Sequence, residues 1–511
     1  MSHKKIRSAL ISVYDKGGLD KIMDLLKDSD VTIYSTGGTY RHLEANGLKP
    51  LKVEDLTTYP SILDGRVKTL HPKVFGGILA RREEDHLSQL TQYDIPPIDL
   101  VVVDLYPFED TVKSTDDPVQ IIEKIDIGGI ALIRAAAKNF NDVLIIPSKE
   151  DYGFLEKVLA EQDGNTSQEE RRQMARRAFS ISSHYDTAIF HYFDTQTESA
   201  PTASFKQSHL SGQGLRYGEN PHQSATYYGE LSELFTKLSG KDLSYNNLVD
   251  VDAAHQLMSE FADAPPTFAV LKHTNACGVA TRETVREAWD AALAGDPVSA
   301  FGGILISNAT IDLSTAEEIH KLFYEVLIAP DFTPEAQALR TQKKKRVLLK
   351  LHSLDRDKAS FKSILNGVIT QDTDLNAQTA TDLKVVTKTT PSEDQIKDLL
   401  FANKLAKHLK SNTIVIAKDN QLLGMGCGQT SRVDACHQAI AKAQKFGFST
   451  EGAVMASDAF FPFPDCVEIA HKAGVKAVIQ PGGSIKDELS IAYCDDNDLP
   501  MVFTGIRHFK H

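Results

Sequence analysis

Apolar runs of strand length alternate with amphipathic stretches through the first ~150 residues, the pattern of a parallel sheet covered by helices. The spacing predicts strands at Ala9–Val13, Val31–Ser35, Leu100–Leu105 and Val143–Ile146, and helices at Leu19–Lys27, Tyr40–Ala45 and Gly129–Asn139. Ser167–Phe193 reads as one long helix, charged first and aromatic later. The polar stretch Thr195–Gln213, rich in Ser, Thr and Gln, marks a domain boundary. The next region again mixes strands (Phe268–Leu271, Gly303–Ile306) with helices (Val251–Phe261, Glu283–Leu293). A polar segment near Gln371–Thr379 separates a third region, with a strand at Thr413–Ala417 and a helix at Val433–Lys445. The second and third regions share a coarse strand–helix rhythm, as a duplication would.

The chain has 511 residues, enough for roughly three domains at about 100–200 residues each. Its net charge of -13 argues against non-specific nucleic-acid binding, which needs a basic surface. Anionic small molecules stay open, because local basic clusters bind phosphate. The cluster Lys343–Arg346 reads as a solvated loop. The five cysteines are odd in number, widely spread and without zinc spacing. That usage implies a reduced intracellular protein without a structural metal. The first apolar run, Ala9–Val13, is too short for a signal peptide or membrane span, so a cytoplasmic location and no membrane partner are expected.

Four N-terminal segments carry chemistry. Ser35-Thr36-Gly37-Gly38-Thr39 follows a strand and opens a helix, which suits a phosphate loop or a tight turn with a threonine N-cap. Arg66 and Lys68, two apart, share a face if their segment is extended, and either clamp a phosphate or line a solvated edge. Tyr106 follows the most apolar strand, either as a ligand contact, since ligands of open α/β sheets bind there, or as a plain core tyrosine. Asp126 opens the helix that carries Arg134 and Lys138, as a cap or as part of a metal-free acid/base set.

In the later regions, Lys272-His273-Thr274-Asn275 ends an apolar strand and delivers a cation, an imidazole and an amide into a turn. A nearby ammonium favours the neutral, proton-accepting imidazole. Neighbours on a strand point to opposite faces, so joint action needs the turn to re-aim them. Arg216-Tyr217-Gly218-Glu219-Asn220-Pro221-His222 is a surface turn or a binding loop. Gly424-Met-Gly-Cys-Gly428 resembles a dinucleotide loop only weakly, lacking the third glycine at the fingerprint spacing and the acidic residue of a clear βαβ unit.

The N-terminal segments, in this order, resemble the inosinate cyclohydrolase domain of the bifunctional purine-biosynthesis family, over roughly residues 5–195. The resemblance implies a methylglyoxal-synthase-like parallel-sheet domain that closes a formamido-imidazole-carboxamide ribotide to inosinate. It implies Lys68, Tyr106, Asp126 and Lys138 as catalytic, with Lys16, Ser35, Gly37, Gly38, Thr39, Arg66 and Thr69 holding the nucleotide. Asp104 stands where the family usually has asparagine, and an ionised carboxylate cannot donate a hydrogen bond, so Asp104 is left out of the site.

The later segments, with Ala456-Ser-Asp-Ala-Phe-Phe-Pro-Phe463, resemble the aminoimidazole-carboxamide ribotide transformylase of the same family over about residues 200–511. The resemblance implies two cytidine-deaminase-like α/β subdomains, without the zinc signature of deaminases. It implies formyl transfer from 10-formyltetrahydrofolate, with His273 as base and Lys272 and Asn412 stabilising developing charge. Arg216, Tyr217, Gly218, Phe301, Gly302, Glu325, Arg507, Phe509 and His511 would bind the ribotide, and Asp458 the folate. The expected division is 1–198 (core 1–148, helical 149–198), 199–370 and 371–511. A homodimer sharing its transformylase sites between subunits, with no required metal, is also implied.

Overall fold

The computed structural model describes residues 3–27, 29–63, 66–196 and 204–511. The expected divide at 198/199, and Gly65 beside Arg66, lie outside the described residues. The chain folds into two compact units, Met1–Leu210 and Ser211–His511. Among the described residues no helix is long and apolar enough to cross a membrane.

In the first unit five parallel strands lie in the order Leu51–Lys52, Thr32–Ser35, Ser8–Ser12, Leu100–Val103, Leu144–Ile146. Every residue of Leu100–Val103 is buried, as the continuous apolar run requires of a strand covered on both faces. Strand Ser8–Ser12 comes first in the chain yet lies between Thr32–Ser35 and Leu100–Val103. The connection from its carboxyl end goes to Thr32–Ser35 on one side, and that from Leu100–Val103 goes to Leu144–Ile146 on the other. A crevice opens between the carboxyl ends of Ser8–Ser12 and Leu100–Val103. Two local expectations change. The helix expected from Tyr40 already begins at Gly37, which sits at φ +44°. The segment at Arg66–Leu70 is not extended but turned, closed by Leu70 N–H on the Val67 carbonyl (3.1 Å). The shared-face argument for Arg66 and Lys68 therefore lapses.

In the second unit a twelve-stranded sheet uses one motif twice. A helix (Tyr245–Ser259, then Glu393–His408) precedes an antiparallel hairpin (Thr267–Lys272 with Asn275–Thr281, then Ile414–Lys418 with Gln421–Gly426). A second helix follows (Val285–Ala294, Arg432–Lys445). A strand antiparallel to the first of the hairpin comes next (Ile304–Ser307, Val454–Ser457). Two parallel strands complete each copy: Val326–Ala329 and Val347–Leu351, then Ala477–Gln480 and Met501–Phe503. The copies meet where Ala280 pairs with Gln421. Details repeat as well. Each hairpin turns through two residues at positive φ, His273 and Thr274 or Asp419 and Asn420. In each, the lysine before the turn reaches a carbonyl: Lys272 Nζ to Phe301 (2.6 Å), Lys418 Nζ to Glu451 (3.0 Å).

Strand Asn275–Thr281 was not expected, because Ala, Cys and Gly are poor strand formers. Its reason is tertiary: a Cβ on Gly278 would lie 1.7 Å from the Ala292 carbonyl of the covering helix. Gly424 and Gly426 repeat this against Ala439 and Ala435, at 2.1 and 2.0 Å. Close helix approach therefore accounts for Gly424 and Gly426, and a positive φ of +66° for Gly428. The expected divide at 370/371 falls within strand Gly367–Asp372, which pairs with Ala359–Ile364 in a hairpin exposed at every residue.

Gly278→Ala is expected to destabilise the second unit by about 3 kcal/mol, the upper range for overpacking. Urea unfolding should show a lower midpoint for that unit alone.

Candidate functional site

Two constellations emerge, one in each unit. The first gathers at the carboxyl ends of the parallel strands. Helix Gly37–Ala45 starts there, and its opening amides precede the first helical bond, Tyr40 N–H to Thr36 O (3.1 Å). A Cβ on Gly37 would lie 3.2 Å from Lys68 Nζ, and one on Gly38 would lie 3.9 Å from Lys16 Nζ. Two ammonium groups over a helix N-terminus form an anion cradle. The hydroxyls expected to help face elsewhere. Ser35 Oγ donates to Ile11 O (2.7 Å) and Thr39 Oγ1 to Val13 O (2.9 Å), both buried, so they brace the loop. Arg66 pairs with Glu123 at the surface.

Thr69 joins a second helix start: its Oγ1 lies 3.2 Å from where a Gly128 Cβ would be. There Asp126 Oδ1 accepts from Gly129 N–H (2.6 Å), and the Tyr106 backbone also bonds this carboxylate. Burial raises the Asp126 pKa against those bonds. Burial, then the Asp126 charge, raises that of the Tyr106 phenol. Tyr106 meets Tyr14 edge-on at 5.3 Å, and Lys124 Nζ lies 5.0 and 5.6 Å from the two ring centres. Tyr14 and Lys124 escaped sequence reasoning, since neither lies in a motif. Asp104 proves to be an acceptor: its carboxylate binds the amides of Tyr14 and of Asp15 (2.9 Å). Tyr14 N–H bonds Oδ1 and Asp15 N–H bonds Oδ2, so both oxygens accept, which an asparagine with its single acceptor oxygen could not do in the same geometry.

Lys138 stands apart. It ends the helix that Gly128 begins, about 15 Å away at 1.5 Å per residue. It lines a groove of about 690 Å³ with Phe75, Arg134, Phe140, Arg172 and Phe179. Of the expected four residues the fold thus sets Lys68, Tyr106 and Asp126 at the strand ends and Lys138 at the far end of its helix.

The second constellation lies along one end of the twelve-stranded sheet. Lys272 and Asn275 flank the hairpin turn, and Asp250 Oδ1 accepts from Thr274 N–H (2.8 Å) beneath it. Burial raises the Asp250 pKa, opposed by hydrogen bonds from the turn and by His273 and Lys272. His273 is exposed, and Lys272 Nζ is docked on Phe301 O, so the turn does aim the pair differently. Gly302 lies beside that ammonium, 3.9 Å from its own Cβ position, at φ +72°. Glu325 precedes the adjacent strand and pairs with Lys241 (2.5 Å). The loop Arg216–His222 reaches the same region through Asn246 Nδ2, which donates to Glu219 O (3.2 Å). Within it Arg216 stacks on Tyr217 (4.7 Å), and Gly218 N–H bonds Gln223 O (2.6 Å).

Across the central junction, Cys427 Sγ lies 3.4 Å from Asn275 Oδ1. Asn412 follows at the start of the next strand. Its Nδ2 donates to Gln429 O (3.0 Å), and its Oδ1 accepts from Arg432 Nη2 (2.7 Å). The same Nη2 reaches Asp458 Oδ1 (3.0 Å). Asp458 is fully buried, and its Oδ2 has no hydrogen-bond partner. Arg432 thus joins two expected residues and was itself missed; its only sequence signal is a position opening a helix after Ser431. Phe509 carries Arg507 over its ring (4.3 Å) and meets His511 edge-on at 5.6 Å.

Comparison with known proteins matches residues 136–442 to the family described as AICARFT/IMPCHase bienzyme, and residues 18–131 to the MGS-like domain. The chain is 57% identical to the bifunctional purine biosynthesis protein PurH of Bacteroides thetaiotaomicron, covering 99% of each chain. It is 47% identical to the protein of that name from Rhodopirellula baltica, again over 99% of each. The Caldicellulosiruptor bescii protein is 45% identical over 99% of this chain and 100% of its own.

Asp126→Asn is expected to move the Tyr106 titration to lower pH, because a negative charge beside the phenolate is removed. NMR of ring-labelled tyrosine would measure it; no movement would mean that the two groups are uncoupled.

Proposed function

The chain belongs to the AICARFT/IMPCHase bienzyme family and is a bifunctional purine-biosynthesis enzyme, a formyltransferase and an IMP cyclohydrolase; we propose how its residues divide that work. The observation that carries the division is that the two constellations lie in separate compact units.

In the second unit, the 5-amino group of aminoimidazole-carboxamide ribotide attacks the formyl carbon of 10-formyltetrahydrofolate. Conjugation with the ring makes this amine a poor nucleophile, so its proton must leave as the C–N bond forms. His273, exposed at the turn, takes that proton and returns it to the departing folate nitrogen. Negative charge gathers on the formyl oxygen. Arg432 holds Asn412 Oδ1, which fixes the orientation of the amide. One Nδ2 proton then serves Gln429 O, and the other is free for the oxyanion. Lys272, anchored on Phe301 O, adds positive charge beside it. The partnerless, buried Asp458 Oδ2 suits the N–H donors of a pterin ring, so the residues present fit the folate. Arg216, Tyr217, Gly218, Phe301, Gly302, Glu325, Arg507, Phe509 and His511 bind the ribotide.

In the first unit, the formamido product closes. Its carboxamide nitrogen attacks the formyl carbon and gives up one of its two protons; the formamido N–H gives up the other as the C=N bond forms and the former carbonyl oxygen leaves as water. Lys16 with the amides after Thr36 holds the phosphate, and Lys68 beside them belongs to the catalytic set. Tyr106 and Asp126 stand at the helix start, where the dipole favours a developing oxyanion. The raised pKa of Asp126 brings it toward the working pH and suits it to proton transfer, while the raised pKa of Tyr106 keeps its phenol protonated as a hydrogen-bond donor. Ser35 and Thr39 shape the loop, and Thr69 braces the second helix start. Arg66 and Lys138 have no part in the set of their own protomer.

The enzyme acts in the cytoplasm as a homodimer, with the formyl-transfer site at the subunit interface. Residues 1–198 carry the cyclohydrolase, and 199–370 with 371–511 the transformylase.

Purified protein given the ribotide and 10-formyltetrahydrofolate should yield inosinate; a failure to do so rejects the assignment. His273→Ala should lose about a thousandfold in formyl transfer yet still cyclise supplied formamido-ribotide. Loss of both activities in a folded variant would refute the two-site division. Arg432→Met should lower formyl-transfer kcat by roughly a hundredfold with cyclisation intact, an effect of the size seen when an oxyanion donor is lost.

A further inference from the structure

The last residues of a chain ordinarily fray. Here they form a strap. His508 N–H donates to Asp458 O (3.0 Å), Ser411 N–H to Lys510 O (2.9 Å), and Lys510 N–H to Ser411 Oγ (3.1 Å). The strap is thereby tied beside both Asp458 and Asn412. Its exposure alternates with the two-residue period of an extended segment: Arg507, Phe509 and His511 are exposed, His508 is buried, and Lys510 is half-buried.

The inward face plugs into a polar network. His508 Nδ1 lies 2.6 Å from Asp374 Oδ2, and its Nε2 lies 3.1 Å from Gln378 Oε1. Gln378 Oε1 also accepts from Asn403 Nδ2 (2.8 Å), which fixes that amide with its oxygen toward the ring. Behind it Lys407 Nζ bonds Asn376 O (2.7 Å) and pairs with Glu260 (2.8 Å). Lys510 Nζ reaches His408 O (3.4 Å). A slip of one residue would turn Arg507, Phe509 and His511 inward. Only His508 has a ring seated between two acceptors, so it sets the register.

We propose that His508 is a positioning residue of the formyl-transfer site: by seating between Asp374 and Gln378 it fixes the register of the C-terminal strap and holds Arg507 and Phe509 toward the ribotide. This rests on the reading that those two residues bind the ribotide.

The test is steady-state kinetics of both activities in His508→Leu, with Arg507→Ala alongside. His508→Leu should raise the ribotide KM of formyl transfer by roughly tenfold. The folate KM and the cyclohydrolase should stay unchanged. A variant that melts lower but keeps its ribotide KM would make His508 a mere staple and overturn the proposal. If Arg507→Ala alone raises the KM, the clamp fails and the ribotide reading stands. If His508→Leu alone raises it, the role of Arg507 fails and the clamp stands. Should the leucine variant not fold, Asp374→Ala removes the Nδ1 partner at a half-exposed position, and Asp374→Asn, which keeps an acceptor, should restore the KM; an unchanged KM in Asp374→Ala would overturn the clamp.

Discussion

Strands Asn275–Thr281 and Gln421–Gly426 meet at the centre of the long sheet, and each carries glycine where a helix backbone passes over it. A methyl group at Gly278, Gly424 or Gly426 would overlap a helix carbonyl. That close approach lets both motif copies share one sheet. The shared sheet sets Asn275 beside Cys427, and so brings the Lys272–Asn275 turn to the same sheet end as Asn412 and Asp458. Residues far apart in the chain become neighbours because strands two places apart lie only about 10 Å from each other.

Duplication also shows what makes one hairpin chemical. Both turns have two residues at positive φ, a lysine docked on a carbonyl, and an aspartate beneath that binds turn amides. The difference lies in the turn residue: His273 in one copy, Asp419 in the other. Arg282 then crosses to the second turn, donating to Asp419 O (2.7 Å) and Gln421 Oε1 (2.6 Å). At the first turn the corresponding approach is Cys427 Sγ on Asn275 Oδ1, and the side chains of His273 and Asp419 are both exposed. The same backbone device thus presents an imidazole in one copy and a carboxylate, with its backbone carbonyl held by Arg282, in the other.

The two constellations use charge differently. The first pairs backbone amides at helix starts with ammonium groups, so most of its side-chain hydroxyls are free to brace the loop. The second uses a guanidinium, Arg432, to fix an amide and a buried carboxylate at once. A buried carboxylate without that partner would carry a large desolvation cost. Two buried polar atoms of that pair are left without partners, Asp458 Oδ2 and Arg432 Nε, and of these Oδ2 can accept from a donor.

Period and composition made the parallel sheet, the long helix and the repeated rhythm legible, because buried strands and amphipathic helices write themselves as local apolar patterns. Turn glycines and polar clusters marked the loops at strand ends, and the family resemblance named most residues there. Lys138 shows the limit. Sequence places it twelve residues after Asp126, but a straight helix sets it at the opposite end of the element. Asp104 shows another: its identity said what it could not donate, and only the fold showed which amides it accepts. Strand Asn275–Thr281 was invisible because its small residues answer to a helix across the sheet rather than to their neighbours. Sequence by itself determined which segments would be buried and which chemistry was present. Only the tertiary structure decided which groups share a site, since that depends on strand order and helix approach, which are long-range contacts with no local period.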